Sequence, residues 1–130
     1  MTLPVTSLLA GLFALLMVPL SFQVSMRRLR LGGVSSGDAN DETLRRRIRA
    51  LGNFIEYVPM AVISVGLIEL GGGPRTLVVG LAAAFFVSRV LHAIGMLHAS
   101  TPTLRASGML IQHAAFLGSG IWLVGMALRA

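Results

Sequence analysis

The 130-residue chain has no cysteine. That excludes disulfides, thiolate metal sites and a cysteine nucleophile, so any thiol chemistry needs a thiol brought in by a ligand. Lysine is absent too, and the formal net charge of +6 is carried by arginine alone. Charged residues make up 12% of the chain, about half the roughly 25% of ordinary soluble domains. What fills the space is apolar: 55% hydrophobic residues and a mean hydropathy of +0.80. These figures describe a single-domain, all-α integral membrane protein. The arginines crowd beside apolar segments. They read as topology determinants and contacts to anionic headgroups rather than as a nucleic-acid surface.

Four apolar segments are long enough to cross roughly 30 Å of hydrocarbon as helices. The first covers residues 8–26, with Pro19 placed to kink its later half. It lacks the positive start and small-residue cleavage site of a signal peptide, and is read as a retained span. Arg27, Arg28 and Arg30 close it, and residues 32–40 form a flexible polar loop. Asn40 or Asp41 can cap the next helix, with Glu42 in its first turn. The second span covers 48–70 and ends at a triple glycine before Pro74. Inside it Pro59 frees the carbonyl of Ile55. The third covers 76–97, a turn follows at 98–103, and the fourth runs from 105 to 128 with Trp122 near its interfacial end.

Arginine counting sets the orientation. Arg27, Arg28, Arg30, Arg45, Arg46, Arg47, Arg49 and Arg105 lie on one side, against Arg75 and Arg129 on the other. The positive-inside rule then places both termini outside and the arginine-bearing connections in the cytoplasm. The membrane is expected to be a bacterial inner membrane.

Polar residues within the spans mark a candidate site. Arg46, Arg49, Asn53 and Glu56 are spaced three and four apart and share one helical stripe. Arg89 and His92 share a face of the third span with Met96. Glu56 and Arg89 both lie about eight residues, roughly 12 Å, from the cytoplasmic face, which predicts an Arg89–Glu56 ion pair. Gly80, Ala84 and Ser88 form a small-residue stripe suited to close helix packing. With Arg105 and Gln112 these polar groups converge in the cytoplasmic half of the bundle. A polar lock between helices explains Arg89 and Glu56 alone. The surplus of arginine around one carboxylate suits an anionic ligand that also carries an amine. His92 is read as a hydrogen-bonded helix histidine rather than a metal ligand, His98 as interfacial and His113 as packing. Glu69 and Arg75 are read as outer-surface groups that reach water. Tyr57 has two readings, packing or a hydrogen bond to a ligand.

The pattern R-x-x-R-A-x-x-N-x-x-E-Y-x-P, here Arg46, Arg49, Ala50, Asn53, Glu56, Tyr57 and Pro59, resembles the MAPEG family. These are the membrane-associated proteins of eicosanoid and glutathione metabolism. Arg89-x-x-His92 and an arginine opening the last span, Arg105, are similar to that family as well. The resemblance covers nearly the whole chain in the same four-span order. It implies a four-helix bundle assembled as a homotrimer, with glutathione bound between subunits near the cytoplasmic face. It also implies that Arg46, Arg49, Asn53, Glu56, Tyr57, Arg89 and His92 hold glutathione while Arg105 ionises its thiol. Met96 stands where several members carry a tyrosine, and Leu51 and Gly52 where related proteins often have polar residues.

The expectation is a glutathione-dependent transferase or peroxidase acting on small hydrophobic electrophiles from the bilayer. Two alternatives are a non-catalytic lipid- or ligand-binding protein of the same fold and a small exporter with Glu56 as a proton-coupled site.

Overall fold

The computed structural model describes residues 2–98 and 101–129. It consists of four helices in chain order: α1 Pro4–Arg30, α2 Glu42–Leu70, α3 Arg75–Leu97 and α4 Pro102–Ala127. All four are long and apolar enough to span a membrane, so the all-α bundle expected from composition is the observed architecture. Part of the expected turn at 98–103 falls on Ala99 and Ser100, outside the described residues.

α1 and α2 outrun the spans read from hydropathy, because polar contacts near their ends stabilise turns that hydropathy does not register. α2 begins at Glu42 rather than 48, since the Asp41 side chain accepts from Leu44 N at 2.6 Å and caps the first turn. Arg46 then donates to Glu42, one turn back, at 2.9 Å. α1 runs unbroken through Pro19 to Arg30.

The loop between α1 and α2 is tethered by arginines. Arg27 makes a two-pronged contact with Asp41, at 3.0 and 2.6 Å, and this pairing holds the Asp41 carboxyl down to about 2. Arg28 donates to the carbonyl of Ser35 at 2.6 Å, and Arg45 donates to Asp38 at 2.6 Å.

The core is apolar and mostly aliphatic. Leu9 and Phe13 of α1 meet Phe54, Val65 and Ile68 of α2 and Val78 and Phe85 of α3. Phe13 and Phe54 pack edge to face, with centroids 5.7 Å apart.

α3 and α4 approach through glycines. A Cβ on Gly108 would lie 2.6 Å from the Ser88 carbonyl oxygen and 2.7 Å from the His92 nitrogen, so only glycine permits this approach. Gly95 lies in the same way against the backbone of Arg105. Ser88 extends the contact by donating to Gln112 Oε1 at 2.6 Å, with both side chains fully buried. Of the expected stripe of Gly80, Ala84 and Ser88, Ser88 packs against α4 and Ala84 against the core, while Gly80 faces open space. The stripe follows the helical period correctly, but periodicity alone does not say which face receives the neighbour.

Glu69, expected at the outer surface, is partly exposed and also ties two helices together: its carboxylate accepts from Val5 N at 3.0 Å, Thr6 N at 2.8 Å and Thr6 Oγ1 at 2.6 Å. The end of α2 thereby caps the start of α1, satisfying N–H groups that no local side chain reaches.

Candidate functional site

The polar stripe of α2 opens onto a cavity of about 560 Å3 at the arginine-rich end of the bundle. It is lined by Arg49, Asn53 and Glu56 from α2, His92 and Met96 from α3, and Arg105 and Met109 from α4. A second cavity of about 300 Å3 adjoins it and shares Arg49, Met96 and Arg105, with Arg45, Arg46 and Glu42 on its outer wall. Five of the eight residues expected at the site line the first cavity: Arg49, Asn53, Glu56, His92 and Arg105. Arg46 lines the second.

Helix geometry explains the grouping. Residues three and four apart on α2 present one face, so Arg46, Arg49, Asn53 and Glu56 follow the cavity wall from mouth to depth. Arg105 reaches both cavities because the first turn of α4 lies flush against α3 at Gly95, where there is no side chain to hold it off.

The charge is uneven. Arg45 pairs with Asp38 and Glu42, and Arg46 with Glu42. Among the described residues, Arg49 and Arg105 have no carboxylate within ion-pair distance, and neither does Glu56 have a cation. Two exposed guanidiniums and one exposed carboxylate therefore share a single open cavity. Such a wall can receive an anion that also carries an ammonium group.

Arg89 and Tyr57 lie behind this wall rather than on it. The expected Arg89–Glu56 pair does not form. Arg89 is 1% exposed and donates through Nη1 to Asn53 Oδ1, with Nη2 3.8 Å from the Met109 sulfur. Its guanidinium lies 5.2 Å from the centre of the Tyr57 ring. Matching depths along antiparallel helices fixes the height of a contact and leaves its direction around the axis open. Three residues past Asn53, Glu56 is turned about 60° around α2, toward the cavity and away from Arg89. Tyr57 packs instead toward α4, with centroids 6.1 Å from Phe116 and 6.2 Å from His113. Arg89 and Tyr57 thus support the cavity wall through Asn53 and do not line the cavity. Gln112 also sits below it, fully buried, with Nε2 unpartnered.

Sequence reasoning missed Met109, Gly95 and Gly108. Met109 looks like core filler in an apolar span. The two glycines could have been found from their place on facing helices, near where α3 ends and α4 begins.

The family match spans nearly the whole bundle. The MAPEG family profile covers residues 6–125. The chain belongs to the MAPEG family. It is 32% identical over 94 residues to inner membrane protein YecN of Escherichia coli K12, across 72% of this chain and 71% of that protein. YecN of Escherichia coli O6:H1 matches to the same degree. No solved structure matches. The matched MAPEG region contains α2 and α3 whole and all but the outer ends of α1 and α4, and with them both cavity walls and the α3–α4 glycine contacts.

Proposed function

We propose that this MAPEG protein binds glutathione in the arginine-lined cavity and conjugates it to, or uses it to reduce, small hydrophobic electrophiles dissolved in the bilayer. The observation that carries the reading is the wall itself: Arg49, Arg105 and Glu56, all exposed and without ion-pair partners among the described residues, around about 560 Å3. Glutathione has two carboxylates, an ammonium and amide groups, and these suit Arg49 with Arg46, Glu56 and Asn53 respectively. The thiol supplies the nucleophile once ionised. Arg105 favours its thiolate electrostatically, as a fixed cation lowers a thiol pKa. His92 and Met96 close the inner side of the cavity.

The cavity is open on the outside of one chain, and we place it at a contact between subunits of a homotrimer with the arginine-rich end in the cytoplasm of an inner membrane. The arginine asymmetry between the two ends supports that orientation. Sizing the purified protein in mild detergent tests the assembly. A folded, thiol-binding monomer would overturn it.

A second reading has its own support. Met96 lines both cavities where several family members carry tyrosine, leaving one hydroxyl contact fewer for a thiol ligand. A non-catalytic binder of the same fold would show this. Incubating detergent-purified protein with glutathione and a chromogenic electrophile separates the two. Thioether formation above the uncatalysed rate supports the enzyme. Binding of glutathione with no product supports the binder.

A further inference from the structure

At the end of the bundle opposite the arginine-lined cavity, α1 and α3 diverge around a groove of about 480 Å3. Its walls are apolar, with Leu8 and Leu12 on one side and Val79, Ala83 and Phe86 on the other. Arg75, the first residue of α3, stands at its mouth. From Arg75 to Val87 the groove follows twelve residues of α3, about 18 Å. One leaflet is half of a roughly 30 Å hydrocarbon core, so the groove matches a single acyl chain lying along the helices from the interface to midplane.

Arg75 brings a guanidinium to the head of the groove. The nearby Glu69 directs both carboxylate oxygens at Val5 and Thr6, and among the described residues Arg75 forms no ion pair. α3 also begins without a capping side chain or an acidic residue in its first turn, which adds to the positive potential at this end. An apolar trough one leaflet deep, headed by an unpaired arginine, has the charge and length of an anionic phospholipid. We propose that the α1–α3 groove seats one anionic phospholipid, its phosphate at Arg75 and one acyl chain against Leu8, Leu12, Val79 and Ala83. This seat is independent of the thiol cavity and makes no demand on catalysis.

The absence of cysteine gives a direct test on the full chain. An Ala83→Cys variant in mild detergent is alkylated with a maleimide in the presence of phosphatidylglycerol or of phosphatidylcholine with identical acyl chains. A Leu110→Cys variant, on the exposed face of α4, serves as the control for general micelle effects. Phosphatidylglycerol should slow alkylation at position 83 about five-fold more than phosphatidylcholine, the scale of one arginine meeting an anionic headgroup. It should make no such distinction at position 110. Adding Arg75→Gln to Ala83→Cys should bring the two lipids to the same rate. Equal protection by both lipids before that substitution would overturn the proposal. So would a preference for phosphatidylglycerol that survives Arg75→Gln, since it would place the selective charge elsewhere. Lipid-independent protection with cross-linking between chains at position 83 would assign the groove to a second copy of the chain instead.

Discussion

Arg89 donates a hydrogen bond to the side-chain oxygen of Asn53, and Glu56, three residues further along α2, stands outside that contact and lines the cavity. A buried guanidinium is thus held by an amide, a methionine sulfur and an aromatic ring, leaving the nearby carboxylate for the open cavity. The pairing predicts energetic coupling between Arg89 and Asn53 and none between Arg89 and Glu56. Interhelical hydrogen bonds in membranes average about 0.6 kcal/mol, and one charged partner raises this to an expected coupling of about 1–2 kcal/mol. Double-mutant cycles with Arg89→Met, Asn53→Ala and Glu56→Gln, read by thermal unfolding in detergent, check it. Additive Arg89 and Asn53 effects would mean that the contact contributes nothing.

The second expectation concerns Arg105. Arg105→Ser should leave glutathione affinity within a few-fold, because Arg46, Arg49 and Glu56 remain. It should slow the chemical step by roughly 10²-fold, the scale of losing one charge-stabilising donor, and raise the pKa of the bound thiol. Thiolate absorbance titrated against pH in both proteins measures the second effect directly. Equal thiol pKa values and equal turnover would remove Arg105 from the mechanism.

Gly95 and Gly108 should be far more sensitive than Gly80. Gly108→Ala drives a methyl group into the α3 backbone and is expected to cost about 1–3 kcal/mol. Gly95→Ala pushes on the backbone of Arg105 itself, so it should reduce turnover by more than its loss of stability accounts for. Gly80→Ala meets open space and should be neutral or gain up to about 1 kcal/mol from helix propensity. Unfolding midpoints and turnover for the three variants test the ordering, and equal effects at all three positions would contradict it.

Acid should loosen the α1–α2 connection before it affects the spans. The Asp41 carboxyl is depressed to about 2 from its ordinary 3.8 by Arg27 and by the N–H of Leu44. A depressed carboxyl stabilises fully above its unfolded pKa and loses that contribution as pH falls through the folded one. The tether should therefore weaken between about pH 4 and about pH 2, with Asp38, also depressed by Arg45, weakening alongside. Hydrogen exchange of the loop amides, quenched from samples held at each pH, should show the rise. Asp41→Asn should already show it at neutral pH. A loop whose protection in the variant equals that of the parent would rule out the tether.

The spans were legible because twenty or so apolar residues between arginines have few other solutions in water or lipid. The α2 wall was legible for the same reason as any helix face: Arg46, Arg49, Asn53 and Glu56 recur at the helical period. What could not be read was rotation about each axis. Depth suggested Glu56 for Arg89, yet Asn53 received it. Small residues suggested Gly80, yet Gly108 and Gly95 made the close contacts. Glu69 was equally opaque, because two of its three donors are backbone N–H groups at the far end of the chain, and backbone donors carry no sequence signal.

That last contact orders events at the ribosome. Thr6 leaves the tunnel 63 residues ahead of Glu69, so the first helix enters the bilayer with its leading N–H groups facing interfacial water. They gain their acceptor only when the second span has crossed back and brought its final turn alongside. The first two spans therefore mature as one hairpin, locked by the last acidic residue to be synthesised.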